Sequence, residues 1–503
     1  YQSLLTPSSY DYDDHRSPPL DNAVVMVQPA AEASLLPTPI TPSATALYPC
    51  DDAALMAEYL PNYPPLRPER TMGLQTAIGR EEMVYPHIPP VVNFGPTRLT
   101  HLLITQPLFR CNLDPENEKG PCLSCKKIAL GAKVYRLSCL RLKITDVKLF
   151  KPGQVKGQEW TNRWKDSVMD DIGNWASSQV RTIRVTEGYT GQSVRLQVRQ
   201  FKPQEGDKVK RSWVSRNGTK HEVNIPAFAI VNLDDAKAEF DQYIKIGLVD
   251  CCHHLLGSRD KLLWQTYSLA IKTAQDPATP PAEKSLLIST LDLWMSVRLT
   301  TKSFEIVGDE TLDMSRDIID DEDNPLHGKI PLPPVMGAQI DSVLIHQIQP
   351  RLRRKALEEL QKMTQEKKQK TWLTTYLVTF ILLHNIALIT KHDADYAKKH
   401  GMSTRFAREA NVKEYNLGAN TLLAYFHYCN KAIYPFSAEC KDQDLRTLAE
   451  LDDKAITFVR FTRELAAEYK EEWEALWHQE AYEHECYYVS QLFEPNWQPR
   501  TMV

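Results

Sequence analysis

Four cysteines, Cys111, Cys122, Cys125 and Cys139, crowd into 29 residues of a 503-residue chain that holds only 10. Their spacing is C-x10-C-x2-C-x13-C. Two thiolates two residues apart can bite one metal ion, because the turn between them aims both sulfurs inward. Two further thiolates complete a closed, tetrahedral zinc site. Pro121 stiffens the entry into that turn. Lys126 and Lys127, directly after the third cysteine, favour the thiolate form. The bland alternative is four small apolar side chains packed in a core, and the spacing leaves both readings open. Ten cysteines in 503 residues are too sparse for a disulfide scaffold.

The same stretch is basic. Residues 110–165 hold 13 Lys and Arg against five Asp and Glu, although the whole chain carries a formal charge of −4. Arg110, Lys126, Lys127, Lys133, Arg136, Arg141 and Lys143 lie around the cysteines. Phosphates are bound by such charge, whereas base selection needs side chains that reach base edges. A zinc-stabilised knot with this surface predicts weak, salt-sensitive association with DNA. A solvated cationic face without a partner is the competing reading. Trp160 and Trp164 add aromatic surface that could stack on bases or simply pack.

Phe109–Trp164, FRCNLDPENEKGPCLSCKKIALGAKVYRLSCLRLKITDVKLFKPGQVKGQEWTNRW, resembles the second half of the fungal Zn2Cys6 binuclear cluster. The likeness is to a divergent group of fungal transcription factors with a Pro-Cys-x-x-Cys core. LLHNIALITKHDADYAKKHG (382–401) and VSQLFEPNWQPR (489–500) resemble segments of the same group. On that pattern Cys111 matches the third cysteine, Cys122 and Cys125 the fourth and fifth, and Cys139 the sixth. The resemblance implies a nuclear transcription regulator. Its partners would be DNA and the transcription machinery or other regulators, and its helical domain would serve regulation or homo-oligomerisation. The first cysteine pair is missing, because no cysteine lies between Cys50 and Cys111. Four thiolates therefore imply one zinc ion rather than two. The alternative is an interaction or scaffold protein that does not bind DNA and whose cysteine module is only structural.

These residues sit in a modular chain. Sixteen of the 33 prolines fall in residues 1–100, which predicts a largely disordered region. Within it, Asp51–Leu60 has the composition of a segment that folds on a partner, or of a short transient helix. No basic, apolar leader opens the sequence, which speaks against secretion. Residues 101–165 form the degenerate cysteine module and 166–230 a basic β-containing segment. Ile183, Val185, Val194, Leu196 and Val198 alternate with polar neighbours across a turn at 187–192, so a hairpin is expected. Arg184, Arg195 and Arg199 would make one of its faces cationic.

Residues 231–503 read as a helical regulatory domain, with three- and four-residue apolar spacing over 234–275, 282–304, 339–372, 373–400, 404–432 and 442–490. The expected fold is mainly α with a small β-containing part. Leu373–Thr390 is apolar enough to be tested as a membrane span. His384, Asn385 and four threonines favour a buried core helix, with no membrane partner.

Other chemistry is weaker. Cys251-Cys252-His253-His254 could offer at most two ligands from one helix face, and core packing is the expectation. His484-Glu485-Cys486 lacks a base of known geometry, phosphate-cradling signatures are absent, and no catalytic constellation emerges. The chain reads as a non-enzyme. Arg351–Lys355 and Lys367–Lys370 are spaced like a bipartite nuclear import signal, or form an exposed helix face. Residues 464–500, with nine glutamates, read as an amphipathic end docked by its aromatics, or as an acidic mask over the basic cysteine region.

Overall fold

A computed structural model describes residues 143–503, apart from 165–169, 258–259, 367, 430–433, 438, 496, 501 and 503. The chain divides into Tyr1–Pro96 and Thr97–Val503, and every described residue belongs to the second unit. The expected disorder of 1–100 lies outside the described residues.

The described part is mostly helical with a small sheet component. A strap, 143–164, opens it with a single 3-10 turn, Ile144–Asp146. Strands β1 (Trp175–Thr186) and β2 (Val194–Phe201) form the expected hairpin. Ile183 faces Leu196, and Val185 faces Val194 in antiparallel register. All four are buried, because strict alternation sends every second residue to the core. Three short strands widen this sheet: β5 (Phe228–Ile230), β6 (Glu305–Val307) and β7 (Ile330–Pro331), in the order β5-β2-β1-β6-β7. Strands β3 (Lys210–Val214) and β4 (Lys220–Asn224) pair separately as a two-stranded ribbon. Trp213 Nε1 of that ribbon donates to Asp321 at 2.6 Å.

Helices follow: α1 (Leu233–Leu256), α2 (Lys261–Gln275), α3 (Pro281–Leu299), α4 (Pro334–Ser342) and α5 (Gln349–Glu366). Then come α6 (Trp372–Lys399), α7 (Glu409–Cys429), α8 (Asp442–Leu448), α9 (Asp453–Glu468), α10 (Lys470–His478) and α11 (Cys486–Val489). Local chemistry sets their starts. Asn232 accepts from the Asp235 amide at 2.9 Å and Asp260 from the Leu263 amide at 2.9 Å, each satisfying an orphan donor of a first turn. Pro281 and Pro334 occupy first-turn positions where no amide is needed.

Between α4 and α5 the helix widens to a π-turn, Val343–Ile348. Pro350 explains it. Proline lacks the amide, and its ring would strike the carbonyl four residues back. The Gln349 amide accordingly reaches five residues back, to Leu344.

Helix α6 is the centre of the body and packs against α2, α3, α7 and α11. Gln369–Lys399 is long and apolar enough to cross a membrane, yet 89% of its most apolar window is buried inside the protein. The expectation of a core helix holds. The acidic end docks as expected. Trp473, Tyr487, Tyr488 and Trp497 are buried, and Tyr469, Leu476 and Trp477 pack on the same core. That core also takes in Ile144, Val147 and Leu149 of the strap and the inner face of β1 and β2. Strap, sheet and helices therefore share one interior.

Candidate nucleic-acid interface

Cys111, Cys122, Cys125, Cys139, Arg110, Lys126, Lys127, Lys133, Arg136 and Arg141 lie outside the described residues. Lys143 is described. It is exposed, and its amide donates to Asp146 Oδ2 at 3.2 Å as the strap enters its 3-10 turn. Six residues after Cys139, at Thr145, the helical body takes hold of the chain.

That grip acts on the main chain. Arg353 of α5 donates to the carbonyls of Val147 at 2.6 Å and Thr145 at 2.8 Å. Asn385 of α6 donates to Leu149 O at 2.7 Å. Tyr415 of α7 donates to Phe150 O at 3.3 Å, and Arg408 to Gly153 O at 2.8 Å. Asp393 orients Arg408 from 3.0 Å, and Lys151 pairs with Asp341 at 3.3 Å. Side-chain packing completes the seat. A Cβ on Gly418 would lie 2.8 Å from Val147 Cγ1, and one on Gly337 only 2.1 Å from Trp160 Cζ3. Small residues here admit the strap. Trp160 and Trp164 thus pack rather than offer a stacking platform, Trp160 on Gly337 and Trp164 against the Ile172 and Phe201 cluster.

The end of the strap is anchored to the segment that follows β2. Arg163 forks onto Asp207 at 2.6 to 3.0 Å and donates to Lys202 O at 3.1 Å, with its side chain almost wholly buried. A bidentate, buried pair of this kind fixes geometry as well as charge.

The outer face of β1 and β2 carries the expected cations. Arg184 and Arg195 are direct cross-strand partners, followed by Thr182 opposite Gln197 and Val180 opposite Arg199. Arg199 donates to Ser177 O and stacks on Trp175 at 5.1 Å. Arg195 reaches Glu239 at 3.6 Å with both side chains substantially exposed. Such a pair contributes little.

Beneath the strap sits a buried polar group. Arg298 is buried and donates from Nη2 to Asn385 Oδ1 at 2.9 Å. Burial lowers its pKa to about 10, and its Nε has no hydrogen-bond partner among the described residues. Nearby, Tyr267 OH and His384 Nδ1 lie 2.8 Å apart, and His384 Nε2 lies 3.9 Å from Glu485. Burial holds His384 below its ordinary pKa. In the sequence, His384 and Asn385 count only against a membrane span. A polar residue inside an apolar helix was the available sign of the strap contact.

The remaining candidates resolve into packing. Cys251 and Cys252 are buried while His253 and His254 are exposed, so the run splits between core and solvent. Burial raises the pKa of Cys251, Cys252, Cys440 and Cys486, which keeps them as inert thiols. Among the described residues no group of three or more His, Cys, Asp or Glu could hold a metal ion. In the import-like cluster, Arg353 is committed to the strap and Arg351 pairs with Asp241 at 2.5 Å.

A family described as "KpeA transcription factor" matches residues 150–492. The match begins within the strap and ends beyond α11, and Cys111–Cys139 precede it. The chain is 24% identical over 377 residues to the satratoxin biosynthesis SC3 cluster transcription factor SAT20 of Stachybotrys chartarum (strain CBS 109288 / IBT 7711). That alignment covers 70% of this chain and 50% of the relative, so the chain spans about half the length of the curated relative it matches. No solved structure matches.

Proposed function

The chain belongs to the KpeA transcription factor family, and on that footing we propose that it is a fungal-type, nuclear regulator of transcription. A zinc-stabilised module within residues 101–165 would associate with DNA through its basic surface. Cys111, Cys122, Cys125 and Cys139 supply four soft donors, the set that suits one tetrahedral structural zinc. Arg110, Lys126, Lys127, Lys133, Arg136, Arg141 and Lys143 would meet phosphates. The helical body would carry the regulatory or oligomerisation role and contact the transcription machinery or other regulators.

The family match over the body carries this reading. Family membership also supports a role without catalysis. The missing first cysteine pair favours a second reading, an interaction protein whose zinc only stabilises a small fold. Chromatin association in cells separates the two. The first reading expects association that is lost with Cys122→Ser and Cys125→Ser, together with stoichiometric zinc in the purified chain. Association indifferent to both substitutions would leave the second.

A further inference from the structure

On the open face of the sheet, six residues form two columns of three: Arg195, Gln197 and Arg199 on β2, and Arg184, Thr182 and Val180 on β1. Ile183, Val185, Val194, Leu196 and Val198 on the opposite face are buried, whereas Val180, Thr182, Arg184, Arg195 and Gln197 are exposed and Arg199, next to the buried Phe201, is half-buried. No carboxylate stands among the six, although three are arginines. Like charges directly opposite one another destabilise an antiparallel pair, and Arg184 faces Arg195. Among the described residues Arg184 has no ion-pair or hydrogen-bond partner, and the acid nearest Arg195, Glu239, stands at 3.6 Å. A like-charge pair offset only by one long, exposed ion pair is the kind of local conflict found at functional surfaces.

We propose that this arginine-bearing sheet face is a second DNA contact, in which Arg184 and Arg195 together engage the phosphate backbone of a duplex, in addition to the contact proposed for the cysteine module. This rests on the proposed DNA-associated function. The chemistry favours a polyanion over a small anion, because the face is open and offers no enclosure for a small ligand. A duplex gains from each weak contact through counterion release. Guanidiniums suit phosphate oxygens, while Thr182 and Gln197 can add neutral hydrogen bonds to the backbone. The face would position the duplex and not select bases.

The test is fluorescence anisotropy of the full chain with a 30-base-pair duplex of mixed sequence, over a series of sodium chloride concentrations. Three variants are compared with the parent: Arg184→Gln/Arg195→Gln, Cys122→Ser, and Lys413→Gln as an off-face charge control. Lys413 is an exposed lysine on α7 paired with Glu409. Each phosphate contact contributes about −0.9 to the slope of log affinity against log salt. The double variant should therefore flatten that slope by about two units, with a thermal midpoint equal to or above the parent's and no change for Lys413→Gln. An unchanged slope in the double variant, with binding lost in Cys122→Ser, overturns this inference and leaves the proposed function standing. Absence of parental binding at low salt overturns both. Poly-glutamate binding that falls in the double variant while duplex binding does not would reassign the face to an acidic protein.

Discussion

Asn385 Nδ2 donates to the carbonyl of Leu149 at 2.7 Å while its Oδ1 accepts from Arg298 at 2.9 Å. One side chain thus satisfies a main-chain group of the strap and supplies the one hydrogen bond that the buried Arg298 guanidinium makes among the described residues. Removing it should be severe, because both groups are left buried. Asn385→Ala is expected to cost about 2–5 kcal/mol, because a buried carbonyl and a buried guanidinium N–H both lose their partner. Arg298→Met combined with Asn385→Leu should recover much of that loss, since two apolar groups leave no stranded ion. Urea unfolding at constant m-value measures both. A loss below ~1 kcal/mol in Asn385→Ala would mean that water reaches Arg298.

Gly337 and Trp160 give a second, steric prediction. The added methyl of Gly337→Ala would lie 2.1 Å from the indole, so the ring or α4 must move. Overpacking of this kind costs about 1–3 kcal/mol. Trp160→Leu vacates the space, and in that background the alanine should cost markedly less. A double-mutant cycle reads the coupling, and strict additivity would show that the two do not meet.

These contacts mark the limit of what the sequence reveals. The hairpin was legible because Ile183, Val185, Val194, Leu196 and Val198 alternate over lengths that carry a period. Helix α6 was legible as core because it is apolar all round yet interrupted by His384 and Asn385. Strands β6 and β7 were not, since three and two residues hold no periodicity and β6 pairs with β1 more than a hundred residues away. The break at Gly257 inside 234–275, and the π-turn ahead of Pro350, had local signals in a glycine and a proline. The role of Arg353 had none. In sequence it belongs to a basic run, and only the fold delivers two carbonyls of the strap to its guanidinium.

Acid and base act on the body through different groups. His427 is buried, stacks on Trp497 at 5.4 Å and contacts Gln491 O at 3.0 Å. Burial lowers its pKa to about 4. Between the ordinary value near 6.5 and that value, the unfolded chain binds a proton that the folded chain refuses, so stability falls as pH drops through this window. Asp292 works in the opposite sense. Burial raises its pKa to about 6, so the folded chain keeps a proton that the unfolded chain has released, and stability falls as pH rises from about 4 to about 6. Asp292→Asn should therefore stabilise the chain at pH 7.5, by up to about 3 kcal/mol, and little at pH 3.5. His427→Gln should flatten the acid limb. Unfolding midpoints taken across pH 3.5–7.5 check both signs, and a stabilisation by Asp292→Asn equal at both ends would refute the titration.

Metal removal should separate the cysteine module from the body. The interior runs from Ile144 to Trp497 and is built from aliphatic and aromatic packing, and no metal-holding group occurs among the described residues. If zinc sits on Cys111, Cys122, Cys125 and Cys139, a chelator should strip one ion per chain and weaken duplex association. The cooperative unfolding of the body should shift by less than ~0.5 kcal/mol, the range for changes remote from a core. Hydrogen exchange would show where the loss stops. Protection should fall in 105–142 and persist from Val147 onward, where Arg353, Asn385 and Arg408 hold the strap by its carbonyls. Loss of protection along α5 and α6 on chelation would overturn this separation and make the module part of the body's own fold.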